Sequence, residues 1–160
     1  TREGFRIDYR NPMSQGTRSH QVAAYVVFDA PLVMLCDSPT RYMADEACTR
    51  FIASLPVVFD TTRVLAGEIG EYIVTARKRQ DCWYVGGLTG WTPRTLDVDL
   101  SLLDPGREYT ATLLADDGRS AAEPARYVLS TQRVTSATRL QIPVAPGGGF
   151  ALKIEPADNK

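Results

Sequence analysis

The sequence has few of the residues that build metal and acid–base centres. Its 160 residues include one histidine and three cysteines. No CxxC pair and no Cys/His spacing of the kind that binds zinc occurs. Basic and acidic residues nearly balance at 18 and 19, and they are spread along the chain without a basic stripe or polybasic segment. We therefore expect neither nucleic acid nor a membrane surface as a partner.

Long apolar runs are also lacking. The longest, residues 22 to 36, is interrupted by Asp29 and Pro31 and is too short to span a bilayer, so it is predicted to be a core segment. The chain opens at Thr1 without an initiator methionine or a basic leader, so we expect any targeting segment to lie outside it.

The cysteines have two interpretations. Cys36 and Cys82 lie inside apolar runs and are expected to be buried free thiols. A disulfide between Cys36 and Cys48 remains open for an exported protein, because sequence does not give the distance between the two residues.

The first part of the chain, residues 1 to 55, has helical periodicity. Thr17 is a plausible N-cap for a helix whose apolar residues cover most of its circumference, and such a helix needs neighbours on several sides. A second short helical run covers residues 31 to 37, and "SPT" is expected to break it. A third, amphipathic helix is predicted from Asp45 to just before Pro56.

The second part, residues 56 to 160, has a period of two. Turn sequences such as "LDPG", "DDG" and "APGGG" separate short segments that alternate apolar and polar residues. The fold class is therefore mainly β, a small antiparallel sandwich or barrel preceded by helices. The predicted strand segments are "EYIVTARK", "DCWYVGGLT", "TLDVDL", "EYTATLLA", "ARYVLSTQRV", "TRLQIPV" and "FALKI".

No catalytic residue and no metal ligand is predicted within the chain. The adjacent acids Asp45/Glu46, Asp97/Asp99 and Asp116/Asp117 are interpreted as a helix cap, a solvated strand face and a turn. No apolar pocket is evident beside any of these pairs that would raise the pKa of one carboxyl group and so give the two groups separate acid and base roles. The single histidine, His20, is interpreted as a structural hydrogen-bonding residue.

Sugar binding is the alternative that the aromatic residues support. Carbohydrate modules stack sugar rings on exposed aromatic faces, and the candidates are Trp83, Tyr84 and Trp91. Strand alternation places Trp83 and Tyr84 on opposite faces, so one of them is expected in the core. Trp91 lies in the turn "TGWTPR" and is the more exposed candidate.

The chain resembles the C-terminal end of glycoside hydrolase family 97. The most specific strings are "GTRSHQ", "PLVMLCDSP", "RVLAGEIGEYIVTARK" and "WYVGGLTGWTPR", and the resemblance covers nearly the whole sequence. It implies an enzyme with an N-terminal β-super-sandwich, a central (β/α)8 barrel and a C-terminal β domain. Residues 1 to 55 would then be the end of the barrel and residues 56 to 160 the C-terminal domain.

The resemblance implies a parent α-glucosidase or α-galactosidase, acting on an oligosaccharide and exported or periplasmic. Its catalytic carboxylates and the glutamates that hold its calcium ion would lie upstream, and no residue of this chain matches them. Arg18 and His20 would lie near the barrel rim if "NPMSQGTR" follows the final barrel strand. The expected role is non-catalytic: stabilising the barrel of the parent and mediating homo-oligomerisation.

The two parts are expected to behave differently in isolation. Residues 63 to 156 are predicted to fold independently, whereas residues 1 to 55 are predicted to expose an apolar surface that drives self-association.

Overall fold

A computed structural model describes residues 5–10, 14–30, 35 and 37–157. Three short helices come first in the described part of the chain, and eight strands follow. The helices are α1 (Arg18–Val27), α2 (Pro39–Met43) and α3 (Glu46–Ala53). The strands are β1 (Thr61–Glu68), β2 (Tyr72–Arg79), β3 (Cys82–Thr89), β4 (Arg94–Asp99), β5 (Tyr109–Ala115), β6 (Val128–Val134), β7 (Arg139–Val144) and β8 (Gly149–Pro156).

The strands form an antiparallel sandwich, which confirms the predicted fold class. Six of them make one sheet in the order β1-β2-β3-β8-β5-β6, and β4 pairs with β7 in a second sheet. The two-stranded sheet packs on one face of the larger sheet and encloses the main core. That core includes Val74, Val85, Leu96, Val98, Ile142, Phe150 and Leu152.

Strand β1 was not among the predicted segments. It is an edge strand, and its residues 61–64 are all exposed, so its sequence carries little of the alternation that indicates a half-buried strand. A β-bulge between Val64 and Ala66 shifts its register against β2 and removes the remaining period-two signal.

Helix α1 covers the other face of the six-stranded sheet. Thr17 is its N-cap, as predicted, and its side chain accepts a hydrogen bond from the backbone N–H of His20 at 3.2 Å. Val22, Ala23 and Val26 are fully buried on the sheet, whereas Gln21 on the opposite side is exposed. On this face of the sheet, residues of α1, α3 and the strands form a second, smaller core.

Close contact between α1 and the sheet depends on Gly86. A Cβ atom at Gly86 would lie 2.8 Å from Cγ2 of Val27 and 2.9 Å from Cβ of Val26, which is too close for a side chain. Arg77 on the neighbouring strand fixes the end of the helix. Its buried guanidinium donates to the carbonyl of Phe28 at 3.1 Å and to the carboxylate of Asp29 at 2.6 Å.

The helical region differs from the sequence prediction at one point. The second predicted run, residues 31 to 37, lies largely outside the described residues. The "SPT" sequence begins a helix instead of breaking one, because Ser38 caps α2 and Pro39 occupies its first turn, where a missing N–H costs nothing. None of the helices in the described ranges is long and apolar enough to cross a membrane.

Candidate functional site

The two residues assigned to a barrel rim, Arg18 and His20, lie where α1 meets the β domain. The Arg18 side chain forms an ion pair with Asp45, and its backbone N–H donates to the carbonyl of Pro124 at 2.8 Å. Nδ1 of His20 lies 3.1 Å from the carbonyl oxygen of Gly148, which can only accept a hydrogen bond. Both residues therefore attach α1 to neighbouring segments of this chain.

Asp45 is the centre of this junction. It caps α3 by accepting from the backbone N–H of Cys48 at 3.3 Å, and it accepts a hydrogen bond from the Tyr127 hydroxyl at 2.6 Å. Burial and the Asp45 carboxylate both oppose ionisation of the phenol and raise the pKa of Tyr127 to about 12. With its Arg18 ion pair, one carboxylate links α1, α3 and the segment before β6.

The Cys48 thiol lies next to the same carboxylate. Burial, and secondarily the negative charge of Asp45, raises the pKa of Cys48 to about 11, so the thiol stays protonated at neutral pH. Cys82, which the sequence predicted to be a buried thiol, is a free thiol that is only partly buried, and this partial burial is the chief cause of its raised pKa. Cys36, the partner considered for a disulfide with Cys48, lies outside the described residues.

A buried carboxylate, Asp116, holds the "APGGG" turn between β7 and β8. Its Oδ2 accepts backbone N–H bonds from Ala145 and Gly149, both at 3.0 Å. Sequence reasoning placed Asp116 in an ordinary turn and missed this role, since nothing in the local sequence connects it to a turn 29 residues away. A Cβ atom added at Gly148 would overlap Oδ2 of Asp116, which explains why this position is a glycine.

The adjacent acids of the chain occupy separate places. Asp45 is at the helix junction, Asp116 is under the β7–β8 turn, and Asp97 lies on β4, where it accepts from Nε2 of Gln141 at 3.1 Å. Among the residues that the structure describes, no three His, Cys, Asp or Glu side chains come together as a possible metal site.

The two tryptophans proposed for sugar binding have different environments. Trp83 is 5% exposed and belongs to the sandwich core, with the cationic groups of Arg63 and Lys78 within 6 Å of its ring centroid, at 5.6 and 5.7 Å. Tyr84, on the opposite face, is buried as well. Trp91 is 38% exposed, and its ring lies so close to Gly147 that a Cβ there would approach it to 2.6 Å.

An open groove of about 650 Å³ lies beside α1 at the β1–β2 edge of the large sheet. Its apolar lining includes Phe28, Val64 and Ile69, which are 59%, 66% and fully exposed. His20, Glu68 and Glu71 contribute polar groups to the lining. This groove is on the same side of the sheet as the helical segment, and exposed apolar area of this kind marks a binding surface.

Comparison with known proteins gives a consistent result. Residues 58–155 match a family model described as "Glycosyl-hydrolase 97 C-terminal, oligomerisation". The chain is 48% identical over 147 residues to a retaining alpha-galactosidase of Bacteroides thetaiotaomicron, covering 92% of this chain and 22% of that protein. It is 32% identical over 129 residues to a probable retaining alpha-galactosidase of Streptomyces bingchenggensis, covering 79% of this chain and 19% of the relative.

Solved structures agree with the sequence comparisons. A glycoside hydrolase family 97 enzyme from Pseudoalteromonas sp. strain K8, in complex with acarbose, superposes with a TM-score of 0.87 at 29% identity. The superposition covers 90% of this chain and 23% of that enzyme. The chain spans about a fifth of the length of the two curated relatives described above.

Proposed function

The chain belongs to the family of glycosyl-hydrolase 97 C-terminal domains, and from this membership we propose that it is the non-catalytic C-terminal portion of an exported α-galactosidase. In that enzyme it stabilises the catalytic barrel and joins copies of the enzyme into an oligomer. The observation that carries the proposal is the 48% identity to a retaining alpha-galactosidase, which extends over 92% of the chain. The relation therefore includes the helical segment as well as the β domain.

The groove beside α1 supports a packing role. Its exposed apolar residues Phe28, Val64 and Ile69 border the helix whose sequence resembles the end of a barrel. We propose that the remainder of the barrel covers this groove in the parent enzyme. Burial of such apolar area stabilises an assembled protein by about 25 cal/mol per Å².

We propose that the catalytic residues of the parent enzyme lie upstream of this chain. A retaining mechanism needs a carboxylate nucleophile and a carboxylic acid placed on either side of the glycosidic bond. We propose that both of these, and the calcium ion with its ligands, belong to the preceding barrel. The α-galactosidic bond is preferred to the α-glucosidic one because the two curated relatives described above carry that activity in their names.

A comparison of two proteins tests this proposal. The 160-residue chain and a protein extended to include the whole barrel are assayed on nitrophenyl α-galactoside and nitrophenyl α-glucoside. We expect turnover only by the extended protein, with the galactoside as the better substrate. Activity of the short chain would contradict a non-catalytic role, and preference for the glucoside by the extended protein would contradict the proposed substrate.

The same proteins test the sugar-binding alternative through Trp91. Binding of galactose-containing oligosaccharides by the 160-residue chain, lost on Trp91→Ala, would favour an ancillary carbohydrate-binding module. Under the proposed packing role, we expect no measurable sugar binding by the short chain and no effect of Trp91→Ala on the KM of the extended enzyme.

A further inference from the structure

Strand β6 is one of the two edges of the six-stranded sheet. It pairs with β5 on one side, and within the described ranges no strand pairs with its other side. Six of its seven residues are exposed, including Val128 and Leu129 at 42% and 43%. A free edge of this kind presents unpaired backbone N–H and C=O groups, to which another strand can be added.

The other edge, β1, has a feature that discourages such pairing. A bulge between Val64 and Ala66 interrupts its register, and bulges are a common means of protecting an edge. In contrast, β6 pairs with β5 without any shift from Val128 to Val134. Its sequence, "VLSTQRV", contains no proline or glycine and only one charged residue, Arg133. This edge is therefore regular and unprotected.

The β6 sequence is compatible with antiparallel pairing to a second copy of itself. A two-fold axis at Thr131 would place Thr131 opposite its own copy, Ser130 opposite Gln132, and Leu129 opposite Arg133. The two arginines would then not face each other, so the pairing avoids the repulsion between like charges directly opposite. Val128 would lie opposite Val134, on the face of the joined sheet that does not carry Leu129 and Arg133.

We propose that β6 is the oligomerisation edge of this domain, and that two copies join through antiparallel β6–β6 pairing centred on Thr131. The inference rests on the proposed function, because the family is described as one of oligomerisation. The contact is isologous, since the same strand is used by both copies, and it closes into a dimer. The two six-stranded sheets become one continuous sheet of twelve strands.

A charge placed on the axis tests the pairing. Thr131→Lys sets two ammonium groups opposite each other at the centre of the interface, where like charges are destabilising. The matched control is Thr95→Lys, which makes the same substitution at an exposed position on β4, in the smaller sheet. Self-association of the full 160-residue chain is measured by sedimentation equilibrium, and circular dichroism checks that both variants remain folded.

We expect Thr131→Lys to weaken self-association at least tenfold and Thr95→Lys to leave the dissociation constant unchanged. A chain that is monomeric at tens of micromolar, or a Thr131→Lys variant that associates like the original chain, would overturn the proposal. Loss of association on Thr95→Lys alone would assign the interface to the smaller sheet. None of these outcomes depends on the α-galactosidase assay, so failure of the interface and failure of the proposed activity are distinguishable.

Disulfide trapping provides a second measurement that does not depend on destabilising the chain. Residues directly opposite each other in an antiparallel pair have Cα atoms about 4.5–5.5 Å apart, which a disulfide can bridge. Mild oxidation should therefore link Thr131→Cys chains covalently, and Ser130→Cys chains less, because residue 130 faces residue 132 and not itself. The unchanged chain gives the background from its native thiols. Equal cross-linking of the two variants would exclude the proposed register.

Discussion

At the scale of single residues, Asp45 illustrates how one side chain joins elements that are distant in sequence. Its carboxylate caps α3, receives the Tyr127 hydroxyl from 82 positions away and pairs with Arg18 on the first helix. The sequence identified the cap, because Asp before a helical run is a recognised N-terminal signal. The other two contacts depend on how the chain folds back on itself.

We expect Asp45→Ala to destabilise the chain by about 2 kcal/mol, because the variant loses a helix cap and leaves the Tyr127 hydroxyl without its acceptor. Tyr127→Phe, which removes only the phenol, should cost about 1 kcal/mol. Glu46→Ala is the matched control, since its exposed ion pair with Arg50 contributes only about 0.3–0.5 kcal/mol. Urea unfolding measures all three, and an Asp45→Ala effect no larger than that of Glu46→Ala would contradict this account.

At the scale of elements, the contact between α1 and the large sheet is the feature that unites the two parts of the chain. The helix buries Val22 and Val26 against strands that begin more than forty residues later. Gly86 makes this possible, because its missing side chain lets the helix approach the strand. The sequence shows a glycine pair in β3, but the helix above Gly86 is visible only in three dimensions.

Gly86→Ala tests the importance of this approach. The added methyl group would meet Val26 and Val27, so either the helix shifts away or the strand bends, at a cost of about 1–3 kcal/mol. Gly118→Ala is the control, because nothing lies within 4 Å of a Cβ at that position. Thermal unfolding should show a lower midpoint for Gly86→Ala and little change for Gly118→Ala. Equal midpoints would mean that the interface adjusts without cost.

At the scale of the whole molecule, the domain has three layers. The β4–β7 pair covers one face of the six-stranded sheet, and α1 with α3 covers part of the other. Tyr84, Leu114 and Ala151 of the sheet are buried beneath the helices. The helical segment therefore supplies part of the β domain's cover, in addition to any contact with the remainder of a barrel. Without the helices, the β domain would expose this part of the sheet.

Removal of the helices tests whether they act as this cover. A chain of residues 58–160 loses α1 and α3, so the face that contains Tyr84 and Leu114 becomes accessible. We expect it to bind a hydrophobic dye and to self-associate more than a chain of residues 14–160, which keeps the helices. Fluorescence titration and light scattering measure both properties. A monomeric 58–160 chain without dye binding would support the independent folding that the sequence suggests for residues 63 to 156.

Local sequence was sufficient for the features that local chemistry controls. The N-caps at Thr17 and Asp45, the positions of seven of the strands and the turns between them follow from side-chain hydrogen bonding, period-two alternation and turn residues. The resemblance to family 97 is likewise a property of the sequence, and the family match confirms it.

Only the tertiary structure showed the features that depend on contacts between residues far apart in the sequence. It placed Trp83 in the core because both faces of β3 are covered, and it revealed β1 as a strand because β2 supplies the hydrogen bonds that its own pattern does not indicate. It also determined which strands lie at the two edges of the larger sheet. Burial and strand order arise from contacts between residues far apart in the chain, and alternation within a segment does not specify them.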